Sequence, residues 1–115
     1  MADCIFCKIV SGAIPSKLVK KTPDMVAFHD VNPQAPVHAL VIPTHHVASL
    51  RDAKGPDGEK LLGRLLAFAA EVATELGLDA KGYRLVVNTG ADGGQTVFHV
   101  HLHLMGGRRM TWPPG

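Results

Sequence analysis

The sequence has little of what defines several large classes of protein. It contains only two cysteines among 115 residues, too few for the disulfide framework of a small secreted domain. Aromatic residues make up 5% and charged residues 19%, and a net charge of +2 gives no cationic surface of the kind that binds nucleic acid. No apolar run approaches the roughly 18 residues of a membrane-spanning helix. We therefore expect neither nucleic-acid nor membrane partners.

The beginning of the chain also lacks the features of a secretory leader. Met1, Ala2 and Asp3 provide neither a basic start nor an apolar run. We therefore expect a cytoplasmic protein. Because 115 residues with 46% apolar side chains suffice to bury one core, we expect a single domain over residues 1–115, with a C-terminal tail at 108–115.

Hydrophobic periodicity predicts two helices and five strands. A short helix has Asp3 as its N-cap and ends at Gly12. A long helix runs from Glu59 to Leu76 after a loop at residues 55–58. The predicted strands cover residues 17–20, 25–30, 38–43, 83–88 and 97–104. This order predicts an α+β fold with a mostly antiparallel five-stranded sheet, one long helix and one short helix.

Three histidines alternate with aliphatic residues near the end of the chain. His99, His101 and His103 have the period-2 spacing of a strand, so the aliphatic residues would face the core. The histidines would form a row on the other face, about 7 Å apart. Imidazole acts near neutral pH as a nucleophile, proton carrier or metal ligand. A metal tract and a histidine-rich surface strand without chemistry are the alternatives.

A glycine-rich turn precedes this row. Gly93 and Gly94 allow positive φ and close approach of a ligand, and Gln95 and Thr96 add an amide and a hydroxyl. Successive backbone N–H groups in such a turn form a concavity that binds anions. We interpret the turn and the row together as a phosphate site beside a nucleophile.

Residues 93–104, Gly-Gly-Gln-Thr-Val-Phe-His-Val-His-Leu-His-Leu, resemble the signature of the histidine-triad (HIT) family. Residues 105–108, Met-Gly-Gly-Arg, and 112–115, Trp-Pro-Pro-Gly, resemble its branch of histidine-triad nucleotide-binding proteins, the purine nucleoside phosphoramidases. The resemblance covers nearly the whole chain, from Cys4 to Gly115. It implies a HIT fold and a homodimer whose two sheets join into one of ten strands.

The resemblance implies a hydrolase that cleaves the P–N bond of purine nucleoside 5′-phosphoramidates (adenylated amines) through a nucleotidyl-histidine intermediate. His101, the central histidine, is the natural nucleophile, and the carbonyl of His99 is within reach of its second ring nitrogen. His103 would contact a phosphoryl oxygen or the leaving atom. His99 and His38 complete the predicted catalytic set, and without metal we expect them to contact each other. A dinucleoside polyphosphate hydrolase and a nucleotide-binding regulatory protein with vestigial activity are the alternatives.

The predicted substrate contacts fall into three groups. Asp30 would accept both ribose hydroxyls, or else it opens a turn. An apolar slot for the base would lie around Phe6 and Phe28, residues that otherwise belong to the core. Fixed donors for the phosphoryl oxygens would come from Asn88, Thr96 and backbone N–H groups, although Asn88 and Thr96 also suit ordinary strand positions. The predicted substrate-binding residues are Ile5, Phe6, Phe28, Asp30, Val31, Asn88, Gly94, Gln95, Thr96 and Trp112.

Cys4 and Cys7 form a Cys-x-x-Cys pair, which alone fits a redox site, half of a metal site or two small buried residues. Bacterial-type HIT proteins that keep both cysteines close a tetrahedral zinc site with two histidines. The matching residues here are His46, at the end of a Pro-x-x-His segment, and His99. The resemblance therefore implies one structural zinc ion, and we expect no organic cofactor.

The C-terminal residues have no evident place in the core of their own chain. Pro113 and Pro114 favour an extended backbone after Trp112. Such a rigid apolar arm could lie across a partner subunit, and the resemblance implies that it shapes the leaving-group pocket. A frayed terminus is the alternative.

Overall fold

The computed structural model describes residues 3–115 and has the predicted α+β architecture. Met1 and Ala2, on which the expected lack of a leader partly rests, lie outside the described residues. The elements are α1 (Ile5–Ser11), β1 (Leu18–Lys21), β2 (Met25–His29), β3 (Val37–Pro43), a 3₁₀ helix (Leu50–Asp52), α2 (Gly55–Glu75), β4 (Tyr83–Val86) and β5 (Leu102–Gly106). The five strands form one antiparallel sheet in the order β1-β2-β3-β5-β4. The predicted fold class is confirmed.

The two faces of the sheet bury different clusters of apolar side chains, because alternate residues of a strand point to opposite faces. One face packs against α2 and includes Ala39, Val41, Leu102 and Leu104. The other face packs against α1, with Phe6 of the helix against Phe28 and Leu40 of the strands. The predicted inward direction of the aliphatic residues between the histidines is therefore confirmed, and Val100 is buried as well. The face under α1 carries the candidate site.

Both helices begin at residues other than the predicted ones. Cys4 caps α1, since its Sγ accepts a hydrogen bond from the backbone N–H of Cys7 at 3.3 Å; the prediction of Asp3 was wrong. Residues 55–58 form the first turn of α2 and not a loop. Pro56 is tolerated there because the first turn needs no N–H donor from it, and the carboxylate of Asp57 suits the positive end of the helix dipole.

The histidine segment is a strand only in its second half. Leu102 is the first residue of β5 and pairs with Val41 of β3, while residues 95–101 have no ladder partners. The backbone N–H of Val100 instead donates to the carbonyl of Val47 in the loop after β3. Because the strand starts only at Leu102, the predicted single strand over 97–104 was wrong. Within residues 3–115, no helix combines the length and apolar character needed to cross a membrane.

Candidate functional site

An open cleft of about 1060 Å³ lies between α1 and the face of the sheet opposite α2. Its size is that of a small-molecule site. Predicted residues line it: Ile5, Phe6, Phe28, Asp30, Val31, Thr96, His101 and His103, together with Ile9. Val31 is fully exposed and Ile5 is 46% exposed, so apolar surface faces water at the mouth of the cleft. Such a surface is suited to cover an apolar ligand group.

His101 is a buried imidazole with one nitrogen committed to a protein partner. Its Nδ1 lies 2.7 Å from the backbone carbonyl oxygen of His99, which can only accept, so Nδ1 carries the proton. Nε2 of the neutral ring is therefore unprotonated. Burial lowers the pKa of His101, although the hydrogen bond to His99 opposes the shift. The ring packs edge-on against Phe6, which fixes its orientation in the cleft.

The imidazole of His103, on β5, contacts the imidazole of His38 on the neighbouring strand β3. Leu40 pairs with His103 across β3 and β5, and His38 lies two residues before Leu40 on the same face. The His38 Nε2 atom is consequently 2.9 Å from the His103 Nδ1 atom. Burial, followed by the neighbouring His101 and His38, lowers the pKa of His103 to about 4, so its ring is neutral at neutral pH.

The predicted contact between His38 and His99 is absent from the hydrogen bonds and ring contacts of residues 3–115. His38 lies on β3 and contacts His103 of β5. His99 lies before the start of β5, and its Nε2 is hydrogen-bonded to the carbonyl of Pro43 at the end of β3. The row of triad histidines is not a surface open to solvent, because His99 and His101 are buried beneath α1.

Asp30 follows β2 directly and is held beside His38. Its backbone N–H donates to the His38 carbonyl at 2.9 Å, and its Oδ1 accepts from the N–H of Asn32. Its Oδ2 is 3.4 Å from Nε2 of His38. The carboxylate thus lies at the edge of the cleft, where it faces both the imidazoles and the space between β2 and α1.

The glycine-rich turn has a different construction from the predicted anion concavity. Gly94 has a φ of 80°, but its N–H donates to Ala91, and the N–H of Gln95 donates to Gly90. These two donors are therefore engaged within the turn. Gly93 has no positive φ; a Cβ there would come within 2.3 Å of the Thr89 carbonyl oxygen, so close packing of the turn explains this glycine.

Three further predicted residues lie elsewhere. Gln95 is buried, with its side chain bonded to the backbone of Gly90, Ala48 and Val97, so it braces the turn. Asn88 lies beyond the end of β4 and does not line the cleft. Trp112 is 82% exposed and is also away from the cleft of its own chain.

Several residues that line the cleft were not predicted from the sequence, among them Pro15, Lys17 and Leu40. Pro15 and Lys17 follow α1 and close the cleft from the side of β1. Leu40 lies opposite His103 on β3. Its two-residue spacing from His38 was the available signal, because it places both side chains on the face of the sheet that carries His103.

Cys4, Cys7, His46 and His99 form a second cluster behind the cleft. Their Sγ and Nδ1 atoms all lie within 4.8 Å of one another, and both cysteines are free thiols. The shortest separations are 3.3 Å from Cys4 to His99, 3.4 Å from Cys7 to His46 and 3.6 Å from Cys7 to His99. The four predicted metal ligands are therefore brought together.

This geometry fits a tetrahedral zinc ion. Zn–S bonds near 2.3 Å and Zn–N bonds near 2.05 Å place S and N ligands about 3.5 Å apart at a tetrahedral angle. The Nε2 atom of His99 lies 2.8 Å from the Pro43 carbonyl, so that nitrogen carries the proton and Nδ1 is left with a lone pair for a metal. Burial lowers the pKa of His99 and raises the pKa of Cys7 above its ordinary value. A bound cation would reverse the effect on the thiol.

Taken together, the fold and the site define a small α+β protein with a histidine-lined cleft and an adjoining Cys₂His₂ cluster. The family model described as the HIT domain matches residues 11–110. The chain therefore belongs to the histidine-triad (HIT) family.

Two curated relatives match over nearly the whole chain. An uncharacterised HIT-like protein of Synechocystis is 51% identical over 113 residues, 98% of this chain and 97% of the relative. A 14 kDa zinc-binding protein of Brassica juncea is 46% identical over 114 residues, 98% of this chain and 100% of the relative.

Solved structures share the fold as well. A HIT family hydrolase from Legionella pneumophila is 49% identical, with a TM-score of 0.94 over 98% of this chain and all of that one. A histidine triad nucleotide-binding protein from Candida albicans is 38% identical, with a TM-score of 0.79 over 89% of this chain and 73% of the other. The chain thus has the fold of HIT family hydrolases.

Proposed function

We propose that this protein is a nucleotide-binding hydrolase that cleaves the P–N bond of purine nucleoside 5′-phosphoramidates. The observation that carries the proposal is the 2.7 Å hydrogen bond from Nδ1 of His101 to the His99 carbonyl. It leaves Nε2 of a neutral, buried imidazole as a lone pair in a cleft of nucleotide size. The resemblance to nucleoside phosphoramidases supports this substrate class, and the name of the Candida albicans neighbour supports nucleotide binding.

Catalysis begins when Nε2 of His101 attacks the α-phosphorus. The N–P bond to His101 forms as the bond to the amine breaks, and the Nδ1–H of His101 stays bonded to the His99 carbonyl, which stabilises the cationic phospho-imidazolium. Water then attacks phosphorus and releases His101. The amine takes a proton from the site as it leaves, and the water returns that proton to the site when it attacks phosphorus. Over the two steps, water therefore supplies a hydroxyl group to the nucleoside monophosphate and, in balance, a proton to the amine.

The nucleoside occupies the part of the cleft between Asp30 and α1. Asp30 accepts hydrogen bonds from the ribose hydroxyls, and the base lies among Phe6, Phe28 and Val31. The hydroxyl of Thr96 and the imidazole of His103 face the phosphate. Asn88 and the turn at Gly94 and Gln95 contribute to phosphate binding only if the turn rearranges, because the two N–H groups are already bonded.

We further propose that Cys4, Cys7, His46 and His99 hold one structural zinc ion. A bound zinc ion would neutralise the two thiolates and hold the imidazole of His99 in place. The backbone carbonyl of the same residue orients His101. The name of the Brassica juncea relative supports zinc as the metal.

The chain acts as a homodimer, in which the exposed Trp112 of one subunit lies over the leaving-group pocket of the other, and it acts in the cytoplasm as a single domain.

The direct test is a turnover assay with an adenylated amine beside a diadenosine polyphosphate. We expect P–N cleavage to dominate and His101→Gly to lose at least about a hundredfold in kcat. His45→Gly is the matched control, since His45 is an exposed histidine outside both clusters. Preferred cleavage of the polyphosphate would favour the alternative hydrolase, and nucleotide binding without turnover would favour a regulatory protein.

A further inference from the structure

His38 is a buried histidine whose two ring nitrogens both have protein partners. Its Nδ1 faces the backbone N–H of Gln34 at 3.0 Å, and an N–H group can only donate. Nδ1 of His38 is therefore unprotonated, and the single proton of the neutral ring is on Nε2. Burial lowers the pKa of His38, which agrees with a neutral ring.

The proton on Nε2 of His38 has two acceptors within reach. Nδ1 of His103 is 2.9 Å away and Oδ2 of Asp30 is 3.4 Å away, so the bond to His103 is the shorter by half an ångström. When His38 donates to His103, Nδ1 of His103 must accept. The proton of the neutral His103 ring then lies on Nε2, where it can be donated to a bound ligand.

The backbone of Gln34 also contacts the start of the tail, through its carbonyl group. Arg108 donates from Nε and Nη2 to the Gln34 carbonyl at 3.3 and 3.0 Å. The neighbouring Gly107 packs so closely on Pro36 that a Cβ would approach the proline ring to 2.8 Å. Hydrogen bonds to both backbone groups of Gln34 therefore connect Arg108 with His38, and His38 in turn contacts His103.

We propose that His38 and Arg108 are positioning residues that hold His103 in the tautomer with its proton on Nε2. His101 and His103 would then present opposite functions to one phosphorus centre: a lone pair on Nε2 of His101 for attack and an N–H on Nε2 of His103 for a phosphoryl oxygen or the leaving atom. The catalytic part of this proposal rests on the proposed function, whereas the tautomer does not.

The test uses ring-¹⁵N NMR of the full-length, zinc-loaded protein labelled at histidine, with His103 assigned by comparison with His103→Asn. In the wild type we expect a protonated-type shift for Nε2 of His103 and an unprotonated-type shift for Nδ1. In His38→Leu the proton should redistribute over both nitrogens. His38→Gln, whose amide N–H takes the place of the Nε2 donor, should restore the wild-type shifts.

Turnover of an adenylated amine supplies the second readout. We expect kcat to fall about ten- to a hundredfold in His38→Leu, the range for loss of a group that orients a reacting residue. His38→Gln should recover most of this loss. Arg108→Ala should move the His103 shifts in the same direction as His38→Leu by a smaller amount, and Arg109→Ala, the adjacent exposed arginine, should change nothing.

The proposal is overturned if wild-type His103 carries its proton on Nδ1, or if neither His38→Leu nor Arg108→Ala changes the shifts. The proposal is also overturned if His38→Gln loses as much activity as His38→Leu, because that result is expected if His38 acts only by packing. If His38→Leu does not fold, the wild-type spectrum and Arg108→Ala decide the question. If His103 has the expected tautomer but the protein does not cleave adenylated amines, the proposed function is refuted. The inference that His38 and Arg108 position His103 then still stands.

Discussion

The carbonyl oxygen of His99 accepts a hydrogen bond from Nδ1 of His101, while the imidazole of His99 belongs to the Cys₂His₂ cluster. One residue thus joins the candidate nucleophile to the candidate metal site. Its side chain is fixed at both nitrogens, by Pro43 on one side and by the cluster on the other. A change in the cluster should therefore be felt at His101.

The first prediction concerns the metal. Protein purified without added metal should contain one equivalent of zinc, and His46→Ala should lose it and melt at a lower temperature. Each 1 kcal/mol of lost stability lowers Tm by roughly 4 °C in a domain of this size. Elemental analysis and thermal unfolding measure both effects, with His45→Ala as the control. Less than a tenth of an equivalent of zinc, with both thiols freely titratable, would refute the site.

The second prediction concerns stability at acid pH. His103 has a pKa of about 4 in the folded protein against an ordinary value of 6.5, so between these values the unfolded state binds more protons. The free energy of unfolding should therefore fall as pH drops through this window, by on the order of 2 kcal/mol from His103 alone.

Denaturant unfolding at several pH values, for the wild type and His103→Gln, isolates this contribution. Any loss of zinc at low pH is common to both proteins and cancels in the difference. We expect the wild type to lose more stability than the variant between pH 6.5 and pH 4. His45→Gln should behave like the wild type. Equal slopes for all three proteins would show that His103 titrates normally.

The third prediction concerns the ribose. Wild-type protein should bind adenosine monophosphate about ten- to a hundredfold more tightly than its 2′,3′-dideoxy analogue, because hydrogen bonds to a carboxylate contribute about 1.5–3 kcal/mol. Asp30→Asn should remove most of this preference, as measured by calorimetry in a double-mutant cycle. Asp24→Asn is the control, since Asp24 is an exposed carboxylate away from the cleft. An unchanged preference in Asp30→Asn would place the ribose elsewhere.

The fourth prediction concerns the C-terminal tail. Truncation after Gly107 should lower kcat/KM for bulky amine leaving groups and much less for a small one, because contacts beyond phosphorus act only where the leaving group reaches them. Binding of the bare monophosphate should hardly change. Gel filtration must show that the truncated protein keeps its oligomeric state.

Truncation also removes Arg108, so a second truncation after Arg108 separates the loss of this contact from the loss of Trp112. We expect the dependence on leaving-group size to persist in the longer protein, which still lacks Trp112. Equal losses for all leaving groups, in a protein whose oligomeric state is unchanged, would show that the tail supports the fold and does not contact the substrate.

Features that depend on local chemistry were predictable from the sequence. The inward direction of Leu102 and Leu104 follows from the period of a strand, and the two cysteines and two histidines of the cluster follow from the resemblance. The start of α2 was missed because Gly55 and Pro56 are also typical of loops. The close approach of Gly58 to the backbone of Ala53, which accompanies the helical turn, is not visible in the sequence.

Features that depend on tertiary pairing could not be read from the sequence. The contact between His38 and His103 requires the register of β3 against β5, in which Leu40 pairs with His103. Likewise, the bracing role of Gln95 depends on the carbonyl of Ala48, 47 residues away. No spacing within a single segment reports such partners.

The central claim is that His101 becomes covalently linked to the nucleotide, as its unprotonated Nε2 and fixed Nδ1 predict. The measurement is mass spectrometry of peptides from protein quenched in base within the first turnover of an adenylated amine. We expect a nucleotidyl adduct on His101, and none in His101→Gly, which should still bind adenosine monophosphate. An adduct on His103 or His99 would contradict the account. So would turnover by His101→Gly at more than about a hundredth of the wild-type rate.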